Sequence, residues 1–296
     1  MSRKLIALFL CLTLLVSAAA LADESVIRVT DMFGREITLA EPATRIVVLT
    51  ASDCEILCAL GCEDAIVGRG QYCDYPASIL DVPVVLSGAE MNIEEVLALE
   101  PQIIVMGDMA HTREQVAMLE RSGVKVVISN ANDIEGTYTA IRMIGTLMGR
   151  NAEAEALIAE MQSVFAQIAA NSPVAGRTVY FEVTPLQWGL WTAGNNTFMN
   201  ELAGICGMTN VFADVDGWAA ISEEQVLMRN PDYIVSVAGT GDGTVEEIMS
   251  RPGWDEITAV KNGHVFNADS NAIARPGPRL MNAAKELYAF FYVAEE

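Results

Sequence analysis

The residues of this chain that could carry chemistry lie in loops, and their types suit binding better than catalysis. The loop at residues 68–76 holds an arginine, two tyrosines and an aspartate. Three later loops, at residues 188–196, 216–218 and 271–279, contain three tryptophans and two further arginines. Arginine offers forked N–H donors that match carboxylate or catecholate oxygens. Aromatic rings cover the apolar face of a large flat ligand. We therefore predict a ligand-contacting set made of Arg69, Tyr72, Asp74, Trp191, Trp218 and Arg275.

Groupings that would serve catalysis or bind a metal ion are scarce. His111 and His264 are the two histidines of the chain, so a site with three histidine ligands is impossible. The sequence has no H-E-x-x-H, G-x-S-x-G or P-loop lysine motif. Asp74 beside Tyr72 or Cys73 could support acid–base chemistry, which keeps an enzyme as an alternative, but no nucleophile–base pair accompanies them. We predict no catalytic residue, no bound metal ion and no resident cofactor.

A short helical segment occurs twice, at residues 92–102 and 222–232. In each copy a capping residue precedes acids in the first turn, a Val-Leu pair supplies the buried side, and proline ends the helix before an apolar strand. Glu94 and Glu224 hold the same place in the two copies. The repeat indicates two similar lobes with one matched surface carboxylate each, an arrangement that suits a two-fold partner.

Helix and strand patterns alternate along the chain and predict an α/β fold. We expect two Rossmann-like lobes with parallel sheets, at residues 23–150 and 173–296. The longest uninterrupted helical pattern, within residues 151–172, separates them. A helix of about 20 residues is roughly 30 Å long, so it can join two lobes as a stiff strut. Because the loops named above lie at strand ends, where open α/β sheets bind ligands, they predict a cleft.

The N-terminus and the overall charge indicate an exported protein. Arg3 and Lys4 precede an apolar stretch and an A-x-A sequence at residues 20–22, which predicts a signal peptide over residues 1–22 and a soluble protein after its cleavage. The formal net charge is −21. Such a charge argues against nucleic acid and anionic membranes as partners, because both require basic surfaces.

The cysteines leave two interpretations open. Five remain after the predicted cleavage, and an odd number cannot form a complete disulfide framework. Cys54, Cys58 and Cys62 are spaced as one face of a helix, which suits either a metal site or the packing of small apolar side chains. Since Gly61 is expected to end that helix before Cys62, we favour packing.

Several short motifs together resemble a known family. The sequence is similar to the substrate-binding proteins of ABC importers for iron chelates and cobalamin, the class III periplasmic binding proteins whose lobes are joined by a rigid helix. The resemblance covers essentially the whole mature chain. It rests on residues 30–35, 54–61, 72–76 and 191–194, on both glutamate segments, and on Pro278-Arg279.

This resemblance implies roles for two groups of residues. Glu94 and Glu224 would pair with arginines of the two permease subunits. Tyr72, Trp191, Trp218 and the loop around Arg275 would face the ligand.

The resemblance also implies a function. The protein would capture an iron chelate, either a siderophore or haem, outside the cytoplasmic membrane. It would deliver this ligand to a permease dimer with its ATPase subunits. A corrinoid such as cobalamin is the alternative ligand. We expect Arg69 and Arg275 to pair with an anionic chelate and the protein itself to be a monomer.

Overall fold

The N-terminal part of the fold is a parallel sheet flanked by helices. The computed structural model describes residues 26–108, 113–173, 176–238 and 243–292, so the predicted signal peptide and His111 lie outside the described residues. An antiparallel hairpin comes first and consists of β1 (Ile27–Thr30) and β2 (Glu36–Leu39). Five parallel strands follow in the spatial order β5-β4-β3-β6-β7. They are β3 (Ile46–Val48), β4 (Ile66–Gly70), β5 (Val84–Val85), β6 (Ile103–Gly107) and β7 (Lys125–Ser129).

Helices on both faces cover this sheet and complete what we call the N-terminal lobe. They are α1 (Ala51–Ala59), α2 (Ile93–Ala98), α3 (Arg113–Arg121) and α4 (Ile134–Leu147). Gly61 follows the end of α1 with a φ of +70°, and the Cys62 amide donates to the Leu57 carbonyl. A left-handed glycine at this place is a standard helix terminator. The predicted end of the helix before Cys62 is therefore confirmed.

The C-terminal lobe repeats the parallel arrangement with fewer strands. Its main sheet has the order β10-β8-β12-β13, and an antiparallel ribbon of β9 and β11 stands beside it. The strands are β8 (Thr178–Glu182), β9 (Trp191–Ala193), β10 (Thr209–Asn210), β11 (Trp218–Ala220), β12 (Tyr233–Ser236) and β13 (Val265–Asn267). The helices are α6 (Phe198–Ile205), α7 (Glu223–Arg229), α8 (Gly243–Met249), α9 (Thr258–Asn262), α10 (Ser270–Ile273) and α11 (Leu280–Tyr292).

A single long helix, α5 (Asn151–Asn171), lies between the two sheets in the chain. It packs on α4 of the first lobe and on α6 and α11 of the second. Its buried side chains belong to one continuous core that also includes one face of both sheets. In β6, for example, Ile103 and Val105 face this shared core, whereas Ile104 and Met106 face a separate core of the N-terminal lobe. The predicted α/β class with parallel sheets and one long helix is confirmed.

Candidate ligand-binding cleft

The carboxyl ends of the strands of both sheets lie on the side where the lobes meet. In the N-terminal sheet the strand order reverses at β3, and in the C-terminal sheet it reverses at β8. Such switch points are where open α/β sheets bind ligands. The segment that follows β7 contacts the segment that follows β9 across the lobes. The Phe198 amide donates to the Asn132 carbonyl, and the Glu201 carboxylate accepts from the Ile134 amide at 2.6 Å.

A cluster of four charged residues bridges the lobes at the same side, and we call it the interlobe cluster. Its members are Glu55, Asp74, Arg275 and Arg279. Glu55 lies on α1 directly after β3, and Asp74 follows β4, whereas both arginines lie between α10 and α11 of the other lobe. The cluster therefore marks where the strand ends of one sheet face those of the other.

The geometry of the interlobe cluster is that of strong charge-assisted pairing. Arg279 binds the buried Glu55 carboxylate with Nε at 2.9 Å and Nη2 at 2.6 Å, and its guanidinium lies 4.3 Å from the centre of the Tyr75 ring. Arg275 reaches Asp74 at 2.6 Å and Glu55 at 3.1 Å. The hydrogen bond from Arg275 lowers the pKa of Asp74 below its ordinary value. These two arginines thus find their counter-charges within the protein.

Exposed aromatic rings line the neighbouring loops. Tyr72, two residues before Asp74, is 67% exposed. Trp191 and Trp218 lie on the β9–β11 ribbon, whose register places them on the same face, and the Trp218 ring packs on Phe198 at 5.4 Å. Trp188, which the sequence analysis did not assign to the ligand, is 75% exposed in the loop before β9. The feature of the sequence that could have identified Trp188 as a candidate is its position three residues before Trp191.

Arg69 occupies a different environment from the one expected. The side chain is buried, and its guanidinium donates to three backbone carbonyls, those of Cys73, Leu80 and Val82, at 3.0–3.2 Å. These bonds hold the loop that carries Tyr72 against the sheet. Because its donors are occupied by the backbone, Arg69 is not part of the ligand-facing set that we propose below.

A second buried ion pair lies at the switch point of the C-terminal sheet. Glu182, the last residue of β8, receives two hydrogen bonds from Arg251 at 2.7 and 2.8 Å, and Arg251 also binds Glu247 at 2.6 Å. Burial raises the pKa of Glu182, and the bonds from Arg251 oppose that shift. A cavity of about 340 Å³ opens above this pair and is lined in part by Glu182, Leu186, Gln187, Thr244 and Glu247. Sequence reasoning missed this pair because its partners are far apart in the chain.

Asp53 is a buried carboxylate in the first turn of α1, beside β3. Within the described residues neither of its oxygens has a close hydrogen-bond partner, although the hydroxyls of Thr50 and Ser129 lie nearby. Burial raises its pKa from 3.8 to about 6, and these hydroxyls oppose the shift. Because burying this carboxylate costs free energy of folding, a substitution at Asp53 should change the measured stability of the protein.

The two glutamate segments form helices with the same pattern of burial. Asn92 caps α2 by accepting from the Glu94 and Glu95 amides, and Ser222 caps α7 through a capping box with Gln225. In each pair of neighbouring acids one carboxylate is engaged within the lobe. Glu95 accepts from Asn92 at 3.0 Å, and Glu223 accepts from the Trp254 ring at 2.8 Å.

The other acid of each pair, Glu94 and Glu224, is exposed on the first turn of its helix. The Ser222 hydroxyl lowers the pKa of Glu224. Glu94 and Glu224 therefore present carboxylates at equivalent places on the two lobes.

Cysteines and candidate metal ligands do not add a site among the described residues. Cys54, Cys62, Cys73 and Cys206 are buried and Cys58 is half-buried, and all five are free thiols. No group of three or more histidine, cysteine, aspartate or glutamate side chains in the described ranges is arranged to hold a metal ion. No described helix is both long enough and apolar enough to cross a membrane.

The sequence matches the periplasmic binding protein pattern over residues 46–272. An ABC transporter substrate-binding lipoprotein of Bacillus subtilis, YvrC, is 30% identical over 273 residues, which are 90% of this chain and 85% of the relative. The vitamin B12-binding protein of Salmonella typhimurium is 28% identical over 83% of this chain and 89% of its own length. A possible iron-binding periplasmic solute-binding protein of Staphylococcus epidermidis has a structure that superimposes with a TM-score of 0.74. It is 31% identical over 84% of this chain and 98% of that protein.

The fold, the cleft and these matches define a class of protein in which two lobes joined by a helix hold a solute between them. The chain belongs to the periplasmic binding protein family, as its motifs predicted. Members of this family are binding proteins rather than enzymes.

Proposed function

We propose that the protein is an extracytoplasmic solute receptor that captures a ferric chelate or a corrinoid and delivers it to an ABC importer. One observation carries the proposal: charged residues that follow strands of both sheets pair across the lobes, and exposed aromatic rings lie close by in the chain, Tyr72 in one lobe and Trp188 and Trp191 in the other. An α/β sheet places its ligand at its switch point, and the pairing of two sheets encloses the ligand from two sides.

The side chains at the cleft favour a large ligand with flat or apolar surfaces. Tyr72 supplies a ring from the N-terminal lobe, and Trp188, Trp191 and Trp218 supply rings from the other lobe. Tyrosine and tryptophan bury a large apolar area while keeping one polar group for a hydrogen bond. Siderophore chelates, haem and corrinoids all present such surfaces. Relatives that are named for iron and for vitamin B12 support the same range of ligands.

Delivery to the importer is assigned to Glu94 and Glu224. Each is exposed in the first turn of a short helix, while its neighbouring acid is bonded within the lobe. Two equivalent carboxylates on two similar lobes match the symmetry of a permease dimer. Pairing with permease arginines gains strength when the contact excludes water. We further propose that the receptor is a monomer outside the cytoplasmic membrane. Its partner is a permease dimer with its ATPase subunits.

One experiment tests capture and delivery together. Wild-type protein and the Glu94→Ala/Glu224→Ala double variant are titrated with a ferric hydroxamate chelate, haem and cyanocobalamin, with tryptophan fluorescence and visible absorbance as readouts. Uptake of the bound ligand is then measured in vesicles that contain the cognate importer. We expect equal ligand affinity in the two proteins, and at least about a tenfold loss of uptake with the variant because two charged contacts are removed.

The neighbouring acids supply the matched control. Glu95→Ala/Glu223→Ala removes the same charge from the same helices but spares Glu94 and Glu224, so uptake should persist. Normal uptake by the Glu94→Ala/Glu224→Ala protein would refute the docking role. Failure of the wild type to bind any of the three ligands would refute capture.

A further inference from the structure

Four arginines at the cleft side of the sheets donate hydrogen bonds to the protein itself. Arg69 donates to three backbone carbonyls, and Arg251 lies between two carboxylates of its own lobe. Arg275 and Arg279 are paired with acids of the opposite lobe. A guanidinium that is paired with a carboxylate, as in Arg251, Arg275 and Arg279, has less attraction left for an anionic ligand.

The counter-charges balance these arginines at the strand ends. Glu55 and Asp74 neutralise the two arginines of the interlobe cluster, and Glu182 and Glu247 more than neutralise Arg251. The whole chain carries a formal charge of −21. A ligand with several negative charges would therefore enter a field that does not attract it.

Asp74 is the member of the cluster that a ligand would meet. Its side chain is 45% exposed, whereas the side chain of Glu55 is 2% exposed and that of Arg275 is 13% exposed. Asp74 is also two residues from the exposed Tyr72 ring. An anionic ligand that stacked on Tyr72 would have to displace the Asp74 carboxylate from Arg275 or lie beside it, and two like charges at ion-pair distance repel one another.

We propose that Asp74 sets the charge selectivity of the cleft: by occupying Arg275, it excludes anionic ligands and favours a ligand without net negative charge. This inference rests on the proposed function and narrows it to a neutral ferric hydroxamate or a corrinoid, as opposed to a ferric catecholate or haem. It also gives Arg275 a role different from the anion partner that its residue type suggests.

The test compares ligands that differ in charge. Ferric tris-hydroxamate is neutral and ferric tris-catecholate is a trianion, and both surround the same metal ion with six oxygens. Cyanocobalamin and haem extend the series with a neutral and an anionic macrocycle. Affinities are measured by quenching of tryptophan fluorescence in wild type and in Asp74→Asn. We expect the wild type to prefer the neutral ligands, and Asp74→Asn to raise the affinity for anionic relative to neutral ligands by about tenfold or more.

A further variant supplies the control. Asp214→Asn removes the same charge from an Asp–Arg pair in which the arginine, Arg229, is the last residue of α7, and it should leave the ratio unchanged. Tight binding of anionic ligands by the wild type would overturn the proposal. The proposal is also overturned if Asp74→Asn keeps the wild-type melting temperature and shows an unchanged ratio of affinities for anionic and neutral ligands. Binding of none of the four ligands would instead refute the proposed function, and the charge selectivity with it.

Discussion

At the scale of single residues, the charged groups of this protein are mostly matched, and Asp53 is an exception with a measurable consequence. Its carboxylate is fully buried, and its oxygens have no close hydrogen-bond partner among the described residues. Burial raises its pKa to about 6 because the charged form loses its hydration. Between the ordinary value of 3.8 and this raised value, the folded state binds more protons than the unfolded state. Stability must therefore fall as the pH rises through this window.

We predict that Asp53→Asn stabilises the protein at pH 7 and makes this slope shallower. The shift of about two pKa units corresponds to at most about 3 kcal/mol, since one unit is about 1.4 kcal/mol. Urea unfolding at pH 4.5, 6 and 7.5 measures the effect. The matched control is Asp214→Asn, because Asp214 is exposed and Arg229 lowers its pKa. If the stability of Asp53→Asn falls with rising pH as steeply as that of the wild type, the attribution of this pH dependence to Asp53 is contradicted.

Single residues also show how far the sequence could be interpreted. Aromatic residues in loops, together with the family resemblance, put Tyr72, Trp191 and Trp218 forward as ligand contacts, and this assignment stays a prediction. The sequence could not show that Arg275 and Asp74 bind each other, because 201 residues separate them and only the packing of two lobes brings them together. An arginine in a loop has the same appearance in sequence whether its partner is a ligand or the protein.

At the scale of elements, the contact between α4 and α5 is tight enough to be tested with one methyl group. A Cβ at Gly145 would lie 2.6 Å from the Ala154 Cβ and 3.2 Å from the Arg150 carbonyl oxygen. Neither neighbour can rotate away, because one is a backbone atom and the other is a Cβ. Gly145 therefore allows the first lobe to approach the long helix closely.

We predict that Gly145→Ala destabilises the protein by about 1–2 kcal/mol. Overpacking of a core costs about 1–3 kcal/mol, and the better helix propensity of alanine returns only part of that cost. The matched control is Gly204→Ala in α6, where a Cβ would meet nothing within 4 Å. This variant should gain about 0.5–1 kcal/mol from propensity alone. Opposite signs in urea unfolding would support the prediction, whereas a gain in both variants would contradict it.

Long elements could be predicted and short ones could not. The pattern that begins at Asn151 gave the long helix to within one residue of its end, because an unbroken helical period has one interpretation. The three-residue strands β9 and β11 were missed, since so few residues show no alternation and their pairing depends on the tertiary structure. That ribbon positions two of the predicted tryptophans.

At the scale of the whole molecule, the two lobes are held together in three places. The helix α5 contributes five buried side chains to the core shared by both lobes. The Glu201 carboxylate caps the start of α4 from the other lobe. The interlobe cluster adds the pairs of Arg275 and Arg279 with Glu55 and Asp74. A hinge needs a few residues that can absorb large changes of φ and ψ, and an unbroken helix in a packed core offers none.

We therefore predict that the lobes move little when the ligand binds. Small-angle scattering profiles of wild-type protein with and without a saturating ligand should superimpose within error. Glu160→Pro, on the exposed side of α5, removes a backbone N–H in the middle of the helix and introduces a kink. It should make the profile depend on the ligand, whereas Glu160→Ala at the same site should behave like the wild type. A marked compaction of the wild type on ligand binding would show that the lobes close like a hinged clamp and that α5 does not restrain them.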